Sequence, residues 1–301
     1  MRRAVVLSAF GLGTTSPNPP VGCVILDRDG HIVGERYHEH KGEPHAETQA
    51  LAVAGERAGG GTAVVTLEPC NHHGRTPPCR AALIDAGVAR VVISVIDPTS
   101  PGEGGAAALR SAGLDVEVGV LDDEVRLVIG PWLTALEQQR PFVTLVYAVY
   151  SDGRVGGLLS TARPSLRDAA TDAEDLRLVH DVVLFDDGRC EEGVRDGHGQ
   201  GVFDLATMQP SLETGDLLAS LVAGGVRSLL VHGNCSLAST LLEVSSVDQA
   251  VAYVETGGSS SVGQTVTDAH RVAGLVPGFA LRDVTRVGAV VRVSSTRVQR
   301  R

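Results

Sequence analysis

Aromatic residues are scarce in this chain. Five Phe, four Tyr and one Trp make up 3% of 301 residues, within a hydrophobic share of 43%. Any core must therefore be filled by Val, Leu, Ala and Ile. Lysine is almost absent, Lys41 being the only one, so arginine carries nearly all the positive charge. That arginine bias reads as a coding preference rather than a functional signal. Positive charge as a whole falls short, with 26 Lys and Arg against 36 Asp and Glu, a formal net charge of −10. This argues against a nucleic-acid-binding stripe or a polybasic membrane surface, both of which need clustered cations. No apolar run approaches the ~20 residues that a membrane span requires. The start, Met1-Arg2-Arg3 followed by Ala4 to Phe10, faintly mimics a signal peptide. Its apolar run is short and passes into a Gly/Pro/Ser/Thr loop without a cleavage pattern, so it is read as a helix. Cysteine is sparse and odd in number: Cys23, Cys70, Cys79, Cys190 and Cys235. Such a set reads as reduced thiols, some of them metal ligands, in a cytoplasmic protein.

What the sequence does have is concentrated between Pro44 and Cys79. One motif is His45-Ala46-Glu47; the other runs from Glu68-Pro69-Cys70 to Pro77-Pro78-Cys79. Together they offer one imidazole and two thiols to a single zinc, with the carboxylate of Glu47 two residues from the imidazole. Three protein ligands leave a fourth position for water, as in catalytic zinc sites. The metal lowers the pKa of that water from ~16 towards ~7. Glu47 can then carry protons without binding the metal, which is the pattern of zinc-dependent deaminases. That signature places its two cysteines as C-x-x-C, whereas eight residues separate Cys70 from Cys79. Spacing alone therefore does not close the site.

The content of that longer loop carries a resemblance. Thr66-Leu67-Glu68-Pro69-Cys70, His72, Gly74 and Thr76-Pro77-Pro78-Cys79 resemble the deaminase half of the bifunctional riboflavin-biosynthesis deaminase/reductase family. The likeness extends upstream through Pro17-Asn18-Pro19-Pro20-Val21-Gly22-Cys23-Val24 and covers about the first 140 residues, on motifs that are specific. It implies a cytidine-deaminase-like fold and a hydrolytic deamination of a diaminopyrimidinone ribosylamino phosphate. It also implies substrate contacts: Asn18 with a base edge or ribose, His38 and His72 lining the site, and Arg75 on a phosphate. Asp97-Pro98 matches the first two residues of the family's aspartate-proline-asparagine, with Thr99 in the third place, and the resemblance makes Asp97 a substrate contact at the ribose-phosphate part of the site. His73 falls at a variable position and is expected to be exposed, and Cys23 is expected in the core.

The pattern of elements fits this. Helices are predicted over 2–11, 45–58, 78–87, 104–113 and 124–138, and strands over 21–27, 31–37, 63–67, 88–95 and 115–120. Their alternation predicts an α/β/α sandwich, a three-layer fold. Gln138-Gln139-Arg140-Pro141 marks a boundary, giving a zinc-dependent deaminase domain over 1–139 and a second domain over 140–301. In the second domain, strands are predicted at 142–149, 181–185, 228–231 and 249–255. Helices are predicted at 172–178, 217–225 and 236–244, with a terminal hairpin at 279–297. The acidic, glycine-rich stretch from Asp186 to Gly201 is predicted to be exposed loop.

The order of elements after Arg140 resembles the reductase half of the same family, which has a dihydrofolate-reductase-like α/β fold and uses NADPH. The departures are substantial. Tyr150-Ser151 precedes Asp152-Gly153 where the family has serine-leucine. The central strand runs into Phe185-Asp186-Asp187-Gly188 instead of a glycine-rich loop, and His232-Gly233-Asn234 replaces a glutamate-glycine-glycine motif. A pyrophosphate needs closely approaching backbone N–H groups, and acidic residues repel it. NADPH is thus not expected to be used, and the second half reads as a shortened, degenerate domain kept for stability, dimer contacts or substrate closure. Cofactor-binding residues there are not assigned. The alternatives are a deaminase recruited to a specialised-metabolite pathway with another aminopyrimidine or guanidine, the full bifunctional enzyme with an atypical NADPH site, a zinc-stabilised scaffold, and a nucleic-acid base deaminase. The net charge and the long cysteine loop speak against the last.

Overall fold

The computed structural model describes residues 1–71, 77–100, 104–152, 154–158, 164–185, 188–193, 203, 205, 214–233, 236–255 and 278–298. The chain divides into two compact units, Met1–Leu133 and Thr134–Arg301. The sequence places its boundary a few residues later, at the Gln138–Pro141 segment.

Unit one begins with α1 (Arg2–Ala9), followed by β1 (Gly22–Leu26) and β2 (Ile32–Tyr37). Then come α2 (Ala46–Ala54), a short 3-10 turn over Gly55–Ala58, and β3 (Thr62–Leu67). The remaining elements are α3 (Cys79–Asp85), β4 (Arg90–Val95), α4 (Gly104–Ser111), β5 (Asp115–Val118) and α5 (Asp122–Gln138), the last crossing into unit two. The strands form one sheet in the order β2-β1-β3-β4-β5. β1 is antiparallel to both neighbours, and β3, β4 and β5 run parallel.

Because side chains alternate along a strand, the sheet sorts its residues onto two faces. Cys23, Ile25, Ala63, Val65, Val91 and Ile93 face α2, α3 and α4, and Cys23 is fully buried there. Val24 and Val64 face α1 through Ala4 and Leu7. The result is the expected three-layer α/β/α sandwich, filled by small aliphatic residues as the scarcity of aromatics requires. The single Trp, Trp132 on α5, is buried and donates its indole N–H to the Pro17 carbonyl at 3.2 Å.

Two glycines let helices sit against the β1–β2 hairpin. A Cβ on Gly22 would lie 2.1 Å from the Ala4 carbonyl oxygen of α1, and one on Gly34 would lie 2.2 Å from the Ala50 oxygen of α2. Both clashes are with backbone, so a side chain at either place displaces a whole helix.

Unit two opens with β6 (Phe142–Val149) and β7 (Val155–Gly156), then a 3-10 turn at Pro164–Leu166, α6 (Arg167–Arg177), β8 (Val182–Leu184) and β9 (Cys190–Glu192). It continues with α7 (Thr214–Ala223), β10 (Ser228–His232), α8 (Ser236–Glu243), β11 (Gln249–Glu255), β12 (Phe279–Val287) and β13 (Val290–Arg297). Its sheet runs β12-β13-β11-β6-β10-β8-β9, with β7 paired to β6. β11, β6, β10 and β8 are parallel. One face carries Val143, Leu145 and Tyr147 against Leu217 and Leu221 of α7 and Leu241 of α8. The other carries Val146, Ala148 and Tyr253 against Ala169 and Ala173 of α6.

Two expectations fail in this unit, one of them the start of α6, which lies at Arg167 rather than Asp172. Cys190–Glu192, placed in an exposed loop by its acidic composition, is a strand paired antiparallel with Val182–Leu184. The turn that returns it passes through Gly188 at φ +83°, and Arg189 stacks 4.7 Å from the Phe185 ring centre. Pairing with the exposed edge of β8 overrides the low strand preference of Glu. Much of the predicted loop, residues 194–202, lies outside the described residues.

Replacing Gly34 by Ala is expected to destabilise the protein by about 1–3 kcal/mol, the usual cost of overpacking a filled site. The same change at exposed Val53 should leave stability nearly unaltered. Chemical denaturation of both variants checks this.

Candidate metal centre

Three segments of unit one end at one place. His45 is the residue just before α2, Cys70 follows β3, and Cys79 opens α3. The β3–β4 parallel pair and the helices packed over it therefore bring together residues 25 and 34 positions apart. Ligand atoms of His45, Cys70 and Cys79 all lie within 4.8 Å of one another. His45 turns Nδ1 towards the sulfurs, 3.2 Å from Cys79 Sγ and 3.7 Å from Cys70 Sγ. The Cys79 backbone N–H donates to Cys70 Sγ at 3.2 Å. Both thiols are buried.

One borderline nitrogen and two soft sulfurs suit zinc, and their number leaves coordination open. The electrostatics also suit a ligand set. The side-chain hydrogen bond with the Cys79 thiol is the main cause that lowers the Cys70 thiol to about 4; His45 and the Cys79 backbone N–H add to it against the cost of burial. The Cys70 sulfur is thus readily a thiolate, the form that binds metal. Its partner Cys79 is pushed far up by holding the shared proton. His45 is raised, first by its bond to Cys70 and then by the charge of Glu47.

Glu47 lies in the first turn of α2 and is 3% exposed. Burial raises its carboxyl above the ordinary range, and the carboxyl also bonds to Cys79. A buried carboxyl beside a metal ligand set is placed to take and give protons.

Asn18 and His38 join this trio. His38 is buried, meets the His45 ring edge-on at 5.5 Å between centres, and lies 3.3 Å from Asn18 Nδ2 through Nε2. Its Nδ1 is 3.4 Å from the Pro44 carbonyl. That carbonyl only accepts, so Nδ1 carries the proton and Nε2 accepts from Asn18. Burial, with the nearby His45 charge, lowers the His38 imidazole to about 4. Gln49 donates to the same Pro44 carbonyl at 2.9 Å, which fixes the residue immediately before His45.

Asp97 sits in the loop after β4. Its Oδ1 accepts the Thr99 N–H at 2.8 Å and the Thr99 hydroxyl at 2.7 Å, closing a turn within the loop. Its own N–H donates to Glu68 Oε2 at 3.2 Å. His72 and Arg75, the other two predicted contacts, lie outside the described residues. Glu68 itself was assigned no role from sequence. The motif Glu68-Pro69-Cys70 was the available signal, but its partners are far away along the chain. A second cluster, Asp27, Asp29 and His31, lies on a hairpin turn. There Asp27 Oδ1 already accepts the N–H groups of Asp29 and His31, as a turn residue does.

Comparison with known proteins gives this geometry a family. Residues 1–95 match the cytidine and deoxycytidylate deaminase zinc-binding region. A diaminohydroxyphosphoribosylamino-pyrimidine deaminase from Buchnera aphidicola is 55% identical over 125 residues, which are 84% of that protein and 41% of this chain. The chain belongs to the riboflavin-biosynthesis deaminase family. Within this deaminase family, the riboflavin biosynthesis protein RibD of Escherichia coli is 52% identical over 155 residues, and that of Aquifex aeolicus 45% over 164. These matches cover 51% and 54% of the chain but only 42% and 46% of the two relatives, less than half their length. Fold likeness reaches further. A Thermotoga maritima deaminase/reductase of the family superposes with a TM-score of 0.79 at 26% identity, covering 99% of this chain and 97% of that one. Acinetobacter baumannii RibD gives 0.76 at 27%. The fold is thus a cytidine-deaminase-like sandwich followed by a dihydrofolate-reductase-like α/β domain.

Replacing Cys70 by Ala is expected to leave purified protein with zinc far below stoichiometric amounts. Cys190→Ala, in unit two, should leave the metal content at the wild-type level. Elemental analysis after gel filtration checks both.

Proposed function

We propose that this protein is a zinc-dependent hydrolase that deaminates an aminopyrimidine ribosylamino phosphate in riboflavin biosynthesis and releases ammonia. One observation carries the reading: His45, Cys70 and Cys79 converge in a buried place that the Glu47 carboxyl also reaches. Zinc held by these three side chains supplies Lewis acidity that makes water a competent nucleophile near neutral pH. Glu47 takes a proton from the attacking water and gives it to the ring nitrogen, then takes the proton of the newly formed hydroxyl and gives it to the departing amine, leaving a carbonyl and ammonia. Burial raises its carboxyl above the ordinary range, which favours its acting as an acid as well as a base. Asn18 is held by the fixed tautomer of His38 and presents its remaining amide atoms to a base edge or ribose. His38 stands beside His45 at the site; by the family resemblance His72 is assigned to the substrate and Arg75 to the phosphate, which a guanidinium engages through paired donors.

A different aminopyrimidine or guanidine is the second reading. It is favoured by the loop after β4, where Thr99 stands in place of asparagine and turns both its N–H and its hydroxyl onto Asp97. In either case the substrate is a small molecule, consistent with a net charge of −10 that offers nothing to nucleic acid. Among the described residues no helix is long and apolar enough to cross a membrane. A cytoplasmic homodimer is the proposed setting. The second domain is proposed not to turn over NADPH, because acidic residues replace the family's glycine-rich loop after the central strand.

Purified protein given the diaminopyrimidinone ribosylamino phosphate should release ammonia, and a zinc chelator should abolish it. Glu47→Gln should keep its zinc and lose ammonia release by about 10²–10⁴-fold, the usual contribution of a positioned acid–base group. A variant that keeps both zinc and turnover would leave only a scaffold role. Mixing the protein with NADPH and the deaminated product should produce no loss of absorbance at the nicotinamide band; steady oxidation would show the full bifunctional enzyme instead.

A further inference from the structure

Glu68 is 5% exposed, and the proposed chemistry makes no use of it. Among the described residues, no lysine or arginine is paired with its carboxylate. Its two oxygens are instead divided between backbone N–H groups of two other segments. Oε1 accepts from Ala106 at 2.8 Å, in the first turn of α4, and Oε2 accepts from Asp97 at 3.2 Å, in the loop after β4. The helix start contributes partial positive charge to the same carboxylate.

The sequence around α4 is shaped to permit this contact. A Cβ on Gly104, which has φ +76°, would lie 2.6 Å from Glu68 Oε1. One on Gly105 would lie 1.9 Å from the Pro69 carbonyl oxygen. Only a glycine pair lets the helix press against Glu68-Pro69. Asn71 adds a donor from the far side of Cys70, its Nδ2 reaching the Gly104 carbonyl at 3.4 Å. Cys70 is thus bracketed: residues 68 and 71 are both tied to the start of α4, and residue 68 is also tied to Asp97.

We infer that Glu68 is a positioning residue that fixes Cys70 and the Asp97 loop relative to one another, so that metal site and substrate contact keep one geometry. This rests on the zinc-deaminase reading above. The role requires a carboxylate. Glutamine keeps one acceptor oxygen and turns an NH₂ towards a backbone donor, which leaves one buried N–H without a partner.

The test is Glu68→Gln in the zinc-loaded full chain, first checked for folding by circular dichroism. Zinc transfer to a chromogenic chelator, read at equilibrium, should show an affinity about 10–100-fold weaker than that of the wild type, the range found when groups behind metal ligands are removed. KM for the aminopyrimidine should rise by more than kcat falls. A folded variant with wild-type zinc transfer and wild-type KM overturns the inference and leaves Glu68 as a purely structural acceptor. Should the variant not fold, wild-type amide exchange decides. Removing zinc should speed exchange at Asp97 and Ala106, and unchanged exchange at both overturns the inference. Ammonia release is scored separately: a wild type that holds zinc but frees no ammonia sinks the deaminase reading while the zinc-transfer result on Glu68 still stands.

Discussion

The convergence of one imidazole and two thiols at the ends of three elements is the constraint on which the first unit depends. Each donor belongs to a different segment, and each segment has its own anchor. α2 is seated on β2 at Gly34, where only hydrogen fits beneath the Ala50 carbonyl. β3 is held between β1 and β4, and α3 is tied back to Cys70 through the Cys79 N–H. A donor trio of this kind would repel itself or scatter in a loose frame. Here the frame is built of backbone contacts that small residues make possible, and the site inherits that rigidity.

Around the trio lies a shell of hydrogen bonds between side chains and backbone. Pro44 receives His38 and Gln49, Glu68 receives Ala106 and Asp97, and Thr66 receives Gly22. Left unsatisfied, the buried Glu68 and Thr66 groups would each cost about 1–3 kcal/mol. Together these bonds fix His45 and Cys70 from behind and leave their reactive atoms facing one another. The proposed catalytic carboxyl, Glu47, differs from this shell: burial raises its pKa, as befits a group that must change protonation.

The second unit keeps a fold that its sequence has partly left behind. Sequence likeness to RibD spans about half the chain, yet fold likeness to the Thermotoga maritima protein spans 99% of it. The reason is visible in the sheet. β6, β10, β8 and β11 need only alternating aliphatic residues on two faces, a requirement many sequences meet. The residues that end those strands are free to change without loss of the sheet, which is where the departures from the family pattern fall.

The sequence by itself determined the element types, the three-layer plan of the first unit and the identity of the metal-site candidates. Periodicity is a local property, and His45-Ala46-Glu47 and the Cys70–Cys79 loop carry their chemistry in residue type and short spacing. It did not determine that Cys190–Glu192 is a strand, since three residues with two glutamates show no strand pattern until the edge of β8 is there to pair with. Nor did it reveal that α6 starts at Arg167 rather than Asp172, because the added turn is held by Ala169 packing under the sheet. Glu68 was hidden for the same reason. Its partners are backbone groups 29 and 38 positions away, which every sequence possesses and only a tertiary structure can bring within reach.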